Sequence, residues 1–417
     1  MPDVPKGYKQ TEVGVIPDEW DVKPLRSVLN YGRLGGNYPN QARETEYPLM
    51  KMGNIARGSM DTSKVEYISA GVIPDRQHKL INGDVLFNTR NTLDLVGKVA
   101  IWRDELPLAY YNSNLMRLEF DPQQVCSTGY ANATLNSAGA IAILRGLATG
   151  TTSVAAIYTR DLLDIPFISP PLPEQEAIAT ALGDADALIE SLDKLIAKKR
   201  QIKQGTMQEL LTGKRRLPGF SGEWETKRLG DIASCFSGGT PPTEVAAYYC
   251  GEIPWITSGD LNKEYITEVE GRISHAGLTN SSAQMIEANT LLIALYGATS
   301  GVTAISKISA AINQAVLAIV PHHNNTVFLY FKFRLLKDWL ISTYTQGGQP
   351  NLSGDIVKSV ELSLPPLPEQ TAIAEVLSDM DAEIVTLEAR LVKAQLVKQG
   401  MMQELLTGRI RLIREVK

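Results

Sequence analysis

The feature that most constrains this chain is a segment of 48 residues that occurs twice: residues 170–217 and 365–412 agree at 28 positions without a gap. Such identity within one chain predicts two related halves rather than one continuous core. Each copy opens on Pro170-Pro171-Leu172-Pro173-Glu174-Gln175 or its counterpart Pro365-Pro366-Leu367-Pro368-Glu369-Gln370. Each closes on Met207-Gln208-Glu209-Leu210-Leu211-Thr212-Gly213 or Met402-Gln403-Glu404-Leu405-Leu406-Thr407-Gly408. The intervening segments match only in outline. Trp20 precedes Lys23 and Leu25 much as Trp224 precedes Lys227 and Leu229. Tyr47-Pro48-Leu49 answers Ile253-Pro254-Trp255, Met52-Gly53-Asn54 answers Ser258-Gly259-Asp260, and Val96-Gly97-Lys98 answers Ser300-Gly301-Val302. The chain therefore divides into a variable domain (1–165), a repeated segment (166–217), a second variable domain (218–364) and a second repeated segment (365–417).

The repeated segments read as long helices. Ile178, Leu182, Ala185, Ile189, Leu192 and Ile196 step by four and three, as do Ile373, Leu377, Met380, Ile384, Leu387, Leu391 and Ala394. That narrow heptad seam is the pattern of a coiled coil rather than of a broad core face. Glu174, Asp184 and Asp186 lie early and Lys198, Lys199, Arg200 and Lys203 late, which suits the helix dipole. Gly213 and Gly408 supply C-terminal stops. Each helix of about 35–40 residues would be roughly 55 Å long. Since each helix finds a matching seam only on the other, the two are expected to pair with each other; two surface helices packed on separate domains remain the alternative.

The variable domains read as mixed α and β. Strand candidates, short, apolar and bounded by turn residues, are 84–88, 99–102, 115–120, 290–294 and 315–320. A helix is expected over 328–342, where Phe328, Phe331, Leu335 and Trp339 recur at helical spacing. The fold class that follows is α+β: two α/β domains in a pseudo-two-fold repeat, joined by two long helices.

Several function classes find no support. No run approaches the ~18 apolar residues of a membrane span, and Met1 to Gln10 carries no secretory signal pattern. Cys126, Cys235 and Cys250 are scattered and odd in number, as in a reduced, cytoplasmic protein. Gly97-Lys98 lacks the glycine of a phosphate-binding loop, and no G-x-G-x-x-G occurs. Of His78, His275, His322 and His323 only the last two are adjacent, with no partner at metal-ligand spacing. No catalytic residue, metal set or cofactor site is therefore assigned to this chain. The net charge of −5 argues weakly against a nucleic-acid binder, although charge acts locally and partners can add basic surface.

At the duplicated PPLPEQ…QELLTG segments the chain resembles the specificity subunit of type I restriction–modification systems. Gly7 to Pro17 and the turn Gly238-Gly239-Thr240-Pro241-Pro242 resemble that family too. The resemblance covers essentially the whole chain. It implies two target-recognition domains, each reading one half of a bipartite site in double-stranded DNA, separated by the conserved helices as an antiparallel coiled coil. It further implies assembly with two methylation subunits, which bind S-adenosylmethionine and methylate adenine, and with restriction subunits that use ATP. Those cofactors would belong to the partners. The chain departs from the family at 150–155, where Gly150-Thr151-Thr152-Ser153-Val154-Ala155 stands opposite the more typical Gln346-Gly347-Gly348-Gln349-Pro350-Asn351-Leu352 of the second domain.

Base reading needs hydrogen-bonding groups at fixed register. Candidates among the polar loop residues are Asn37, Lys51, Asn54, Arg57, Asn88, Arg90, Asn91 and Arg117 in the first domain. In the second they are Thr240, Thr257, Ser258, Asp260, Tyr296, Ser300, Asn313, Gln314 and Gln349. For any one of them a turn or solvated surface role is the competing reading. A coiled-coil scaffold whose end domains bind protein rather than DNA is the competing reading for the whole chain.

Overall fold

The computed structural model describes residues 4–151, 154–344 and 351–413. The chain forms two compact units, residues 1–193 with 389–417 and residues 194–388. Their boundaries fall inside the two long helices, Leu172–Leu210 and Leu367–Leu405, of 39 residues each. Each unit is therefore one variable domain plus the near half of one repeat helix and the far half of the other. The repeated segments are not free-standing bodies, a division that differs from the four successive segments drawn from the sequence.

In the first unit, strands Val99–Ile101, Val85–Asn88, Leu115–Phe120 and Leu29–Leu34 form an antiparallel sheet in that order. A second sheet orders Tyr110–Tyr111, Pro48–Met50, Glu66–Ile68 and Asn40–Gln41, its first pair parallel. The second unit repeats the scheme. Ala233–Ser237, Val316–Pro321, Leu291–Ala294, Thr303–Ser306 and Tyr265–Ile266 form one sheet. The other contains a parallel pair, Ile253–Ile256 with Ala310–Ile312. The strands expected at 115–120 and near 84–88, 99–102, 290–294 and 315–320 all form, and the expected helix is Thr326–Tyr344.

These central strands are apolar on both faces because each sheet separates two cores. Val85, Phe87, Met116 and Leu118 point into one cluster while Leu86, Ala100 and Leu115 point into another. Leu291, Ile293, Leu317 and Ile319 alternate in the same way with Leu292, Ala294, Val316 and Ala318. The two-residue period of a strand thus distributes a continuous hydrophobic run between two layers.

The helix seam follows the expected positions. In the first unit Ile178 and Leu182 are buried with Leu405 and Leu406 at the far end of the other helix, so the segments run antiparallel. Ala185, Ile189, Leu391 and Ala394 are half-buried and Leu192 is buried. In the second unit Ile373 and Leu377 share a core with Leu210 and Leu211; Ile196, Ile384 and Leu387 are buried and Met380 half-buried. The seam then continues in charged residues. Lys203 pairs with Asp381 and Lys199 with Glu383 in the second unit, and Lys398 with Asp186 in the first. Lys203–Asp381 and Lys398–Asp186 are the same pair in the two repeats, offset by 195 residues. Of the early acidic and late basic residues that the sequence suggested for the dipole, Asp186, Lys199, Arg200 and Lys203 here connect helix to helix.

A second pair of contacts closes the helix ends. Arg411 grips the Glu174 carboxylate, with Nε 2.6 Å from Oε1. Arg216, its counterpart, grips Glu369 through Nε and Nη2. Glu174 and Glu369 are almost wholly buried, and each arginine lies over a tryptophan, Trp20 or Trp224. The stops are as expected: Gly213 and Gly408 take φ of 72° and 69°, and Arg215 and Ile410 fold back to donate to carbonyls of Glu209 and Glu404.

Candidate nucleic-acid interface

In each variable domain backbone hydrogen bonds tie three loops together, and most of these bonds recur in the other domain. In the second domain Gly238 N–H donates to Asn313 O and Gly239 N–H to Ile312 O. In the first, Gly35 N–H donates to Leu115 O and Gly36 N–H to Tyr111 O. A side chain at Gly35 would overlap Tyr111 O, and one at Gly238 would overlap Ile312 O, so these turns demand glycine for close approach. Asn112 and Asn313 occupy equivalent places. Both are buried, both donate backbone N–H to the neighbouring strand (Met50 O, Ile256 O), and both side chains accept a backbone N–H two residues on.

The remaining loops match as closely. Thr89 N–H bonds Asn114 O as Leu295 N–H bonds Ala315 O. Ile157 N–H bonds Thr89 O as Leu352 N–H bonds Leu295 O. Gly97 and Gly301 share φ of 74° and donate to Asn88 O and Ala294 O. Matched through these bonds, Asn37 corresponds to Thr240, Arg90 to Tyr296 and Ser113 to Gln314.

The structure brings Thr240, Tyr296 and Gln314 together. The Thr240 hydroxyl donates to Gln314 Oε1 at 2.6 Å, and the Tyr296 hydroxyl donates to Gln314 O. In the first domain Asn37 and Arg90 are exposed, and neither side chain has a hydrogen-bond partner among the described residues. Asn91 is half-buried beside Arg90, its carbonyl oxygen accepting Thr92 N–H. Lys51 is drawn away into an ion pair with Glu66.

Other candidates face inward. Asn54 is buried and spends its amide on Asp61 O and Lys64 O and its carbonyl oxygen on Lys51 N–H. Asn88 is fully buried under the turn it caps. Arg117 is buried over the Tyr111 ring, paired with Asp84 at 3.1 Å and donating to Lys79 O and Gln77 O. Burial raises the Asp84 carboxyl above its ordinary range against the pull of Arg117. Ser300 donates to Leu295 O, and the Asn313 side chain is occupied as described. Asp260 caps its own turn by accepting from Thr257 N–H and Oγ1–H, with Ser258 half-buried beside it. For these residues, hydrogen bonding to the chain itself takes the groups that base reading would need, a tertiary outcome that loop composition does not reveal. Arg57 is half-buried with Nη1 unpartnered; burial, and then Arg145, lower its pKa. Gln349 lies outside the described residues.

Ser113 was not among the sequence candidates. The signal was present in the alignment of Tyr111-Asn112-Ser113 with Ile312-Asn313-Gln314, which extends the repeat beyond its obvious blocks. Among the described residues no group of three His, Cys, Asp or Glu side chains could hold a metal ion, and no helix is long and apolar enough to cross a membrane.

The family model described as type I restriction modification DNA specificity domain matches this chain twice, at residues 17–203 and 221–396. A protein of Methanocaldococcus jannaschii, named for the specificity subunit of the MjaX type I restriction enzyme, is 24% identical over 97% of both chains. The crystal structure of a type I restriction–modification S subunit from M. genitalium superposes with a TM-score of 0.57 at 16% identity, covering 93% of this chain and 96% of that one. A chain from a study of complex assembly and conformational transition in the type I system gives 0.58 at 17% identity, covering 95% and 99%.

Proposed function

Because this chain belongs to the type I restriction–modification DNA specificity family, we propose that each of its two variable domains reads one half of a bipartite site in double-stranded DNA. The chain is the sequence-specificity component of such a complex and leaves catalysis to its partner subunits. The observation that carries the two-reader proposal is the duplicated three-loop surface, in which the scaffold is kept and the outward side chains differ. Two readers on one chain make selectivity the product of two short sites, as paired half-sites do for dimeric binders.

Within the complex, the repeat offers two equivalent docking faces and thus suits two identical methylation subunits. Supporting this, exposed apolar residues recur at matching positions of the two helices, Leu172 with Leu367 and Ile202 with Val397. Exposed apolar positions of this kind mark protein contacts. S-adenosylmethionine and ATP are assigned to the methylation and restriction subunits, and the complex to the cytoplasm, where DNA and both cofactors meet. Calorimetry on the isolated chain should detect no S-adenosylmethionine binding; micromolar affinity would overturn that division of roles.

The test of the main proposal is a domain exchange. Residues 1–165 are replaced by the first domain of another family member, the subunit is co-purified with its methylation partner, and methylated adenines are mapped on plasmid DNA. One half of the recognised sequence should change and the other persist. If both halves changed together, independent reading by the two domains would be wrong.

A further inference from the structure

Resting on the proposal that the domains read DNA, we infer that base identity is set at three equivalent positions in each: Asn37, Arg90 and Ser113 in the first domain, Thr240, Tyr296 and Gln314 in the second. The argument comes from the duplication. Around these positions every supporting element is kept: the close-packed glycines Gly35 and Gly238, the buried Asn112 and Asn313, and the positive-φ Gly97 and Gly301. The backbone bonds that join the three loops are kept as well, except that Gly35 N–H bonds Leu115 O where Gly238 N–H bonds Asn313 O. At the three positions themselves, Asn faces Thr, Arg faces Tyr and Ser faces Gln. A surface that preserves its frame to this degree while changing all three outward groups has the construction expected of two readers with different targets.

The hydrogen-bond inventory gives each set a chemical preference. Gln314 Oε1 already accepts the Thr240 hydroxyl, so the free face of its amide is the Nε2 donor. A donor in the major groove selects a base edge bearing an acceptor, such as purine N7, guanine O6 or thymine O4. Tyr296, its proton committed to Gln314 O, presents an oxygen lone pair instead. In the first domain the unpartnered Arg90 guanidinium fits the paired N7 and O6 acceptors of guanine, with Asn37 and Ser113 on either side.

The experiment uses the full complex with its methylation subunits and scores base frequencies at methylated sites. Gln314→Ala should lose preference at one or two positions of one half-site, with selectivity there reduced roughly 10-fold or more, and leave the other half-site unchanged. Arg90→Ala should do the same in the opposite half. Gln314→Glu replaces the free donor by an acceptor, so the preference should move toward a base with an amino group, cytosine or adenine. Uniform weakening with selectivity intact in all three variants would make these residues phosphate or scaffold contacts and overturn the inference. Unchanged methylation maps would overturn it too. Failure of the wild-type complex to recognise a bipartite site would instead sink the wider two-reader proposal.

Discussion

In one unit Arg411 is bound by Glu174 and also by Glu19, and Trp20 Nε1 donates to the same Glu174 carboxylate at 3.4 Å. In the other, Arg216 is bound by Glu369 and donates to Gly222 O at 2.8 Å, while Trp224 Nε1 is buried with no hydrogen-bond partner among the described residues. The repeated residues, Arg, Glu and Trp, are identical; what differs comes from the variable sequence around them. The second unit instead packs Lys332 under Trp224, its ammonium donating to Leu211 O at 2.6 Å and lying 5.5 Å from the indole centre. Duplicated residues thus make the same contacts, and diverged neighbours complete them in different ways. The same division holds at the candidate interface, where the frame is shared and the outward groups are not.

The largest expected effect tests whether the two surfaces are independent. Gly238→Ala, whose new methyl would overlap Ile312 O, should abolish recognition of one half-site. Gly35→Ala should abolish the other. Methylation mapping of both variants decides it, and loss of both halves from either substitution would break the comparison.

Next is Lys332, which has no counterpart among the bonds that complete the first unit. Burial lowers its ammonium from 10.5 to about 8. The folded state therefore binds fewer protons than the unfolded state between about pH 8 and 10.5, and stability should rise with pH across that window. The penalty at neutral pH is on the order of 3 kcal/mol. Calorimetric melting from pH 7 to 10 should show this rise in the wild type, and Lys332→Met should flatten it. An equal rise in the variant would assign the effect to another group.

A smaller effect is expected at the helix ends. Glu174→Gln should cost about 2 kcal/mol, less than a fully buried pair because solvent reaches Arg411. Glu369→Gln should act in the same direction and by more, since Arg411 keeps Glu19 while Arg216 has no second carboxylate among the described residues. Chemical denaturation of the two variants measures the order, and a larger loss for Glu174→Gln would reverse that ranking.

The smallest difference separates the two lysine–aspartate pairs. Lys203 and Asp381 are more buried than Lys398 and Asp186, and Asp381 Oδ2 has no hydrogen-bond partner among the described residues. Burial raises the Asp381 carboxyl above its usual range even beside Lys203. Asp381→Asn should cost roughly 1 kcal/mol and Asp186→Asn about half as much. Equal values would mean that burial does not distinguish the pairs.

Much of the candidate site was legible in outline. Thr240, Tyr296 and Gln314 were polar loop residues in the sequence and converge in the fold; Asn37 and Arg90 stand at the matching places of the first domain. Asn54, Asn88, Arg117, Ser300 and Asn313 were legible to the same degree, yet their hydrogen bonds are spent inside. Local sequence does not distinguish a polar side chain that caps a turn from one that faces outward, because the partner carbonyls come from elsewhere in the chain: Asn54 bonds residues 61 and 64, and Arg117 bonds residues 77 and 79.

The sequence by itself determined the duplication, the helix length, the seam and the central strands, because each follows from short-range periodicity and from identity between segments. Only the tertiary structure decided that each compact unit takes half of each helix, that Lys203 and Lys398 find Asp381 and Asp186, and that Ser113 belongs with Asn37 and Arg90. Those outcomes depend on contacts between residues tens to hundreds of positions apart, whose pairing is fixed by which surfaces the packed cores leave adjacent rather than by any local preference of the chain.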